Sequence, residues 1–385
     1  MPFKKIRSFV LMGVLILTFS MGQAVQASSP TNPGNGNSAK PVCPGPAAAG
    51  DARCHAWVKP DASKSPVGLS PATMKAAYGF STSNTVGAGK TIAIVDAYDL
   101  PTAENDLNVF SKQFGLPACT TANGCFKKVN QSGGTKLPKY NAGWGLEISL
   151  DIEWAHAIAP SAKILLVEAS NTSFSNLLAA EDYAAAHANY VSNSWGGGEF
   201  SGETAYDSHF SHSGVAFFVS AGDAGLPAEY PSTSPNVISV GGTTLNFSNG
   251  SLVSETGWSQ GGGGCSIYEN ANSTQANFAQ YPQVNCLGKR ATPDVSLDAD
   301  PNSRAAVYDS STYQGQKGWY QVGGTSLSSP MWAGRAADSG SLVNASSVYG
   351  SNIAFRDITS GNNGSACLLG YDLCSGRGSW TGATP

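Results

Sequence analysis

The sequence is poor in charge: Asp, Glu, Lys and Arg make up 12% of its 385 residues, against about 25% in an ordinary soluble chain. With 22 Lys and Arg facing 26 Asp and Glu, and no basic stretch beyond the first few residues, nothing is present to follow a phosphate backbone, which excludes nucleic acid as a partner. Histidine is scarce, at 5 residues, so chemistry that needs an imidazole has few places to find one. CxxC spacing is missing, which removes the usual thiolate zinc and redox motifs. Missing too is an apolar run of the roughly 20 residues that a membrane-spanning helix needs.

What is present begins with Lys4, Lys5 and Arg7, an apolar run over 9–19, and small residues ending in Val25, Gln26 and Ala27. This is the layout of a secretory signal over residues 1–27. Its removal leaves 19 basic against 26 acidic groups and a formal charge of -7. Few charges suit an acidic medium, where protonated carboxylates leave cations to repel one another. The expectation is a secreted, extracellular monomer with no membrane partner once the signal is gone. Export also bears on the 8 cysteines, since an even count behind a signal favours disulfides. They fall in close pairs, Cys43 with Cys54, Cys119 with Cys125, Cys265 with Cys286 and Cys367 with Cys374; spacing does not fix connectivity, and neighbour pairing is the simplest choice.

Residues 28–65 are rich in Pro, Gly, Ser and Ala and read as a lead-in. Residues 66–385 have the size of one large domain. Apolar runs at 91–96, 163–167, 190–192, 215–219 and 237–240 read as buried strands, and helical segments are expected at 103–114, 146–158, 174–187 and 326–337. Strands alternating with helices imply an α/β fold, doubly wound, with a mainly parallel sheet and helices on both faces. Sites on such sheets gather at the carboxyl ends of the strands.

Three segments carry candidate chemistry. Gly323, Gly324 and Thr325 lead into Ser326 and, four residues on, Pro330: the glycines permit a tight turn, and a serine at a helix start feels a positive field that favours an alkoxide. The same pattern also fits a plain helix cap. Glu147 and Asp151 are spaced one helical turn apart, on one face. Two carboxylates so placed resist joint ionisation, so one keeps its proton to higher pH and becomes usable as an acid or base. Asp223 follows the strand at 215–219 in a small-residue turn; protonated, its hydroxyl can donate to an oxyanion.

Taken together, Glu147 and Asp151, Ser192-Asn-Ser-Trp-Gly196, Ser220-Ala-Gly-Asp223, Gly323-Gly-Thr-Ser326 and the closing Asp357-Ile-Thr359, Gly370-Tyr-Asp372 and Gly376-Arg-Gly-Ser379 resemble, in order, the motifs of the sedolisins, serine-carboxyl peptidases that share the subtilisin fold. The resemblance covers about residues 66–380. It implies that Ser326 attacks the scissile carbonyl, that Glu147 takes its proton and later protonates the leaving amine, that Asp151 orients Glu147, and that Asp223 completes the oxyanion hole with the Ser326 N–H. A carboxylate base is weaker than imidazole, so activity on polypeptide substrates is expected in acid.

The tail is expected to bind a calcium ion through the hard oxygens of Asp357 and Asp372, and the resemblance adds the carbonyls of Ile358, Leu368 and Gly370; Leu368 stands where the family usually has glycine. Sedolisins carry a large N-terminal pro-domain, and here only the segment 28–65 stands in that place, so self-cleavage of this lead-in is a further expectation. Two rival readings stand beside the peptidase: a non-catalytic secreted binding protein on a peptidase scaffold, and a neutral hydrolase with a histidine base. Of His55, His156, His187, His209 and His212, none sits in a subtilisin histidine motif, and His156, on the carboxylate helix, is the one to watch.

Overall fold

A computed structural model describes residues 1–2, 38–303, 305–340, 342–350 and 353–381; the export signal, from residue 3 onward, lies outside the described residues. The unit spanning 37–385 is built on a parallel sheet. Its strands lie in the order Phe126–Asn130, Lys163–Ala169, Thr91–Ala97, Tyr190–Asn193, Ala216–Ser220, Ile238–Ser248 and Val295–Asp298. Ile, Val and Leu at consecutive positions, such as 164–167, are buried on both sides of the pleat, as expected for a sheet covered on both faces. Among the described residues, no helix is long and apolar enough to cross a membrane.

From the strand Thr91–Ala97 the chain first builds outward to one side, and from Tyr190–Asn193 it builds to the other. The gap between these two strands is therefore the topological switch point, where open α/β sheets form their clefts. The helix Ala142–Ile158 is started by the Asn141 side chain, which accepts the N–H groups of Gly143 and Trp144. It is buried along almost its whole length and packs against the helix Thr325–Ser339, so each polar side chain it carries faces protein rather than water.

The expected strands and helices are found with shifted ends: the carboxylate helix starts at Ala142, and the strand beginning at Ile238 runs to Ser248. The second half of the lead-in is part of the fold. Lys40–Pro41 and Trp57–Ser63 join Gln316–Gly323 and Ala305–Tyr313 in an antiparallel sheet, while Arg53–Cys54 pairs with Trp195–Gly198. All four neighbouring cysteine pairs form disulfides.

Candidate active site

The helix Thr325–Ser339 opens at Gly324, whose φ of +94° suits glycine. A Cβ there would lie 1.9 Å from the His55 carbonyl oxygen, so no side chain fits. Ser326 follows in the first turn. Pro330 has no N–H to donate to the carbonyl four residues back, which leaves the Ser326 carbonyl oxygen free of that helical bond. The Ser194 hydroxyl lies 3.4 Å from it.

Around Ser326 the structure brings together Glu147, Asp151 and Asp223. The Ser326 hydroxyl reaches the Ser194 carbonyl at 3.5 Å and lies near the Glu147 carboxyl, whose charged form it favours. Glu147 Oε2 also accepts the Ala56 N–H at 3.0 Å. Burial, then Asp151, pushes the Glu147 carboxyl well above the usual range, and these two donors work against that rise. Asp151 accepts the Ser194 hydroxyl at 3.0 Å on Oδ1 and has no partner on Oδ2. Burial and the neighbouring Asp96 hold its carboxyl well above its ordinary value.

Asp96 was not among the residues singled out from sequence. It is fully buried near the end of the strand Thr91–Ala97, at the switch point, and neither oxygen has a hydrogen-bond partner. Burial, Glu147 and Glu168 push its carboxyl well up. One polar residue closing an apolar strand was the available signal. Three buried carboxyls thus share a small volume, and like charges there cannot all ionise. Burial raises all three, and neighbouring donors oppose that rise at Glu147 and Asp151 but not at Asp96.

Asp223 accepts the Thr325 N–H at 2.8 Å on Oδ1, and the Thr325 hydroxyl lies 2.7 Å from the same atom. Its Oδ2 is buried without a partner, 2.6 Å from where a Cβ on Gly324 would stand. Burial raises this carboxyl to about 6, against the pull of His55 and Arg53. Below that pH, Oδ2 carries a proton it can donate into the cleft.

No imidazole bonds Ser326. His156 Nε2 lies 2.9 Å from the Pro117 carbonyl, and burial lowers its pKa to about 4. His55 is occupied at both nitrogens, Nδ1 at 2.7 Å from the Ser220 hydroxyl and Nε2 at 2.9 Å from Glu229. His187 faces the Tyr183 carbonyl, His209 faces Asp182, and His212 is exposed. The arrangement is a hydroxyl at a helix start, a chain of carboxyls behind it and a protonatable carboxyl across from it, which is the equipment of acyl transfer.

In the tail, Asp357 Oδ2 accepts the Gly370 N–H at 2.8 Å, and Asp372 accepts the N–H groups of Leu368 at 2.5 Å and Ser375 at 2.8 Å. These bonds tie both carboxylates to backbone N–H groups of the tail loop, and carboxylate oxygens are the donor type that a hard cation takes. Ile358 packs beneath with the Cys367–Cys374 disulfide. Cys119, Cys125 and His156 also cluster, but the two sulfurs are joined in a disulfide and offer no thiolate.

Residues 135–351 match the Subtilase family. Kumamolisin from Bacillus sp. (strain MN-32) is 30% identical over 363 aligned positions, covering 82% of this chain and 63% of that protein. Sedolisin from Pseudomonas sp. (strain 101) is 34% identical over 200 residues, covering 43% of this chain and 32% of that protein. The match thus spans less than two thirds of each relative's length. Among solved structures, Pseudomonas sedolisin, a serine-carboxyl proteinase in complex with two molecules of pseudo-iodotyrostatin, superimposes with a TM-score of 0.69 at 26% identity, over 82% of this chain and 96% of that one. With the subtilisin-like sheet, the switch-point site and these matches in hand, the chain belongs to the subtilase family, in its sedolisin branch.

Proposed function

We propose that the protein is an acid-active serine-carboxyl endopeptidase that hydrolyses polypeptides through an acyl-enzyme on Ser326. The reading rests above all on one relationship: the Ser326 hydroxyl stands beside the buried Glu147 carboxyl and favours its charged form, while no histidine reaches it. Glu147 takes the hydroxyl proton as Ser326 attacks and returns it to the leaving amine. Asp151, held by Ser194, keeps a proton close to Glu147 and fixes its position. Asp223, protonated below about 6, donates to the oxyanion, which carries several kcal/mol of barrier lowering in sites of this kind.

The same reading extends to setting. Residues 1–27 direct export, 28–65 form a lead-in and 66–385 the peptidase domain, acting outside the cell as a monomer. Asp357 and Asp372, with the carbonyls of Ile358, Leu368 and Gly370, would hold a calcium ion that braces the tail loop. The test is hydrolysis of an acid-unfolded protein followed across pH. A wild-type optimum below pH 6, absent in Ser326→Ala, supports the proposal; an optimum near neutrality, or activity surviving Ser326→Ala, rejects it.

A further inference from the structure

Ser326 and Glu147 are 0% exposed and Asp223 is 2% exposed, although a peptidase must present these groups to its substrate. What covers them is the chain's own segment 53–58. Arg53 and Cys54 pair antiparallel with Gly196 and Trp195, and the His55 N–H donates to the Ser194 carbonyl at 3.1 Å. On the far side, Trp57 and Val58 pair antiparallel with Gly323 and Val322. The segment is thus an added strand at two edges, the way extended peptides bind. The peptide joining His55 to Ala56 bridges the gap between those edges, where the catalytic groups lie. Its N–H sits 3.0 Å from Glu147 Oε2. Its carbonyl oxygen and Asp223 Oδ2 both crowd the Gly324 α-carbon, 1.9 and 2.6 Å from where a Cβ would stand. Amine on the proton carrier and carbonyl oxygen beside the oxyanion donor is the polarity that cleavage requires.

The residue before this bond has a built recess. The His55 ring lies between Ser220 and Glu229 at 2.7 and 2.9 Å, and a Cβ on Gly196 would come within 2.9 Å of its Cε1. Arg53 reaches the other Glu229 oxygen at 3.2 Å. One carboxylate therefore contacts two basic side chains, one directly before the bond and one two residues earlier.

Building on the serine-peptidase reading above, we infer that the cleft selects peptides with a basic side chain before the cut bond, that Glu229 is the selecting residue, and that His55–Ala56 is the first bond the enzyme cuts. Ser326 Oγ adds to the His55 carbonyl carbon as its proton passes to Glu147. The C–N bond then breaks and the proton goes to the Ala56 nitrogen, leaving a His55 ester on Ser326. Water hydrolyses that ester to the His55 carboxyl and restores the Ser326 hydroxyl. Cys43 and Cys54 both precede the cut, so the released loop keeps its disulfide and no covalent link to the domain. Its departure opens the cleft.

The full chain, expressed and held at pH 7, is shifted to pH 4 and followed by intact mass and N-terminal sequencing, with hydrolysis of an unfolded protein measured alongside. The expected result is a new start at Ala56 in wild type, none in Ser326→Ala, and cutting slowed at least tenfold in His55→Asp but kept within a few-fold in His55→Lys. Because His55→Asp can fail to fold, synthetic peptides spanning 51–60, with Ser for Cys54 and His, Lys or Asp at position 55, are given to the activated enzyme. His and Lys are expected to exceed Asp at least tenfold in kcat/KM, and Glu229→Gln to erase most of that preference. Hydrolysis of the unfolded protein with the 55–56 bond intact, or with no preference at position 55, overturns this inference and leaves the peptidase reading standing. No hydrolysis of any substrate removes both.

Discussion

Thr325 donates its backbone N–H to Asp223 Oδ1 at 2.8 Å, which fixes the carboxyl so that its other oxygen, Oδ2, stays buried without a partner. An unpartnered buried oxygen is costly unless it is protonated or meets a ligand; in the oxyanion role proposed above, its titration at about 6 sets the upper pH limit of activity. Asp223→Asn keeps a donor of the same shape but removes the ionisation. We predict that kcat/KM drops about tenfold at the optimum, while the alkaline limb moves upward in pH. The pH profile of kcat/KM checks this; an unmoved limb contradicts the role.

Asp96 raises the carboxyl of Asp151, and it interacts with Glu147 in the same buried space. Asp96→Asn removes one ionisable group from that set, so the remaining carboxyls give up protons more easily. The acid limb of the profile is expected to shift to lower pH, with KM little changed. A substitution that merely loosened the packing would lower activity at every pH instead.

The fold is expected to be most stable in acid. Burial raises the carboxyls of Asp223 and Asp309 to about 6, Glu181 to about 8 and Glu168 to about 9. A carboxyl with a raised folded value binds more protons folded than unfolded, so its stabilisation is full below the unfolded value and is lost as pH rises through the folded one. Asp223 alone, moved from 3.8 to about 6, corresponds to about 3 kcal/mol. Glu229 runs the other way: burial raises it, but His55 and Arg53 hold it at about 2, so it matters only below the ordinary glutamate range. Calorimetry of Ser326→Ala, which excludes self-digestion, is expected to give a Tm highest near pH 4 and lower by about 10 °C at pH 8.

Calcium removal is expected to act on the tail. Chelation lowers the Tm of Ser326→Ala and added calcium restores it, while Asp357→Asn with Asp372→Asn no longer responds. Equal responses in both proteins contradict the site.

Much of this arrangement is legible in the sequence, because glycines, carboxylates and the serine leave marks there. Gly324 is required by its positive φ and by the His55 carbonyl against it, and the spacing of Glu147 and Asp151 already puts them on one face of a helix. Asp96 hides for the opposite reason: a single aspartate closing an apolar strand looks like a strand end. The strand Trp57–Ser63 is obscured by Lys59, Pro60 and Asp61, which lie past its short pairing with Lys40–Pro41 and weaken its apolar pattern. The donor from Ala56 to Glu147 is a backbone N–H, and nothing in a side-chain alphabet encodes it.

The claim that carries the rest is that a carboxyl group at 147 moves the proton of the 326 hydroxyl. The direct measurement is single-turnover acylation by Glu147→Gln beside wild type between pH 3 and 8. Acylation in wild type confined to acid, and slower by about 10³-fold in the variant at every pH, is the predicted result. Acylation by the variant at a near-normal rate at pH 7–8 contradicts it, because some other base would then be at work.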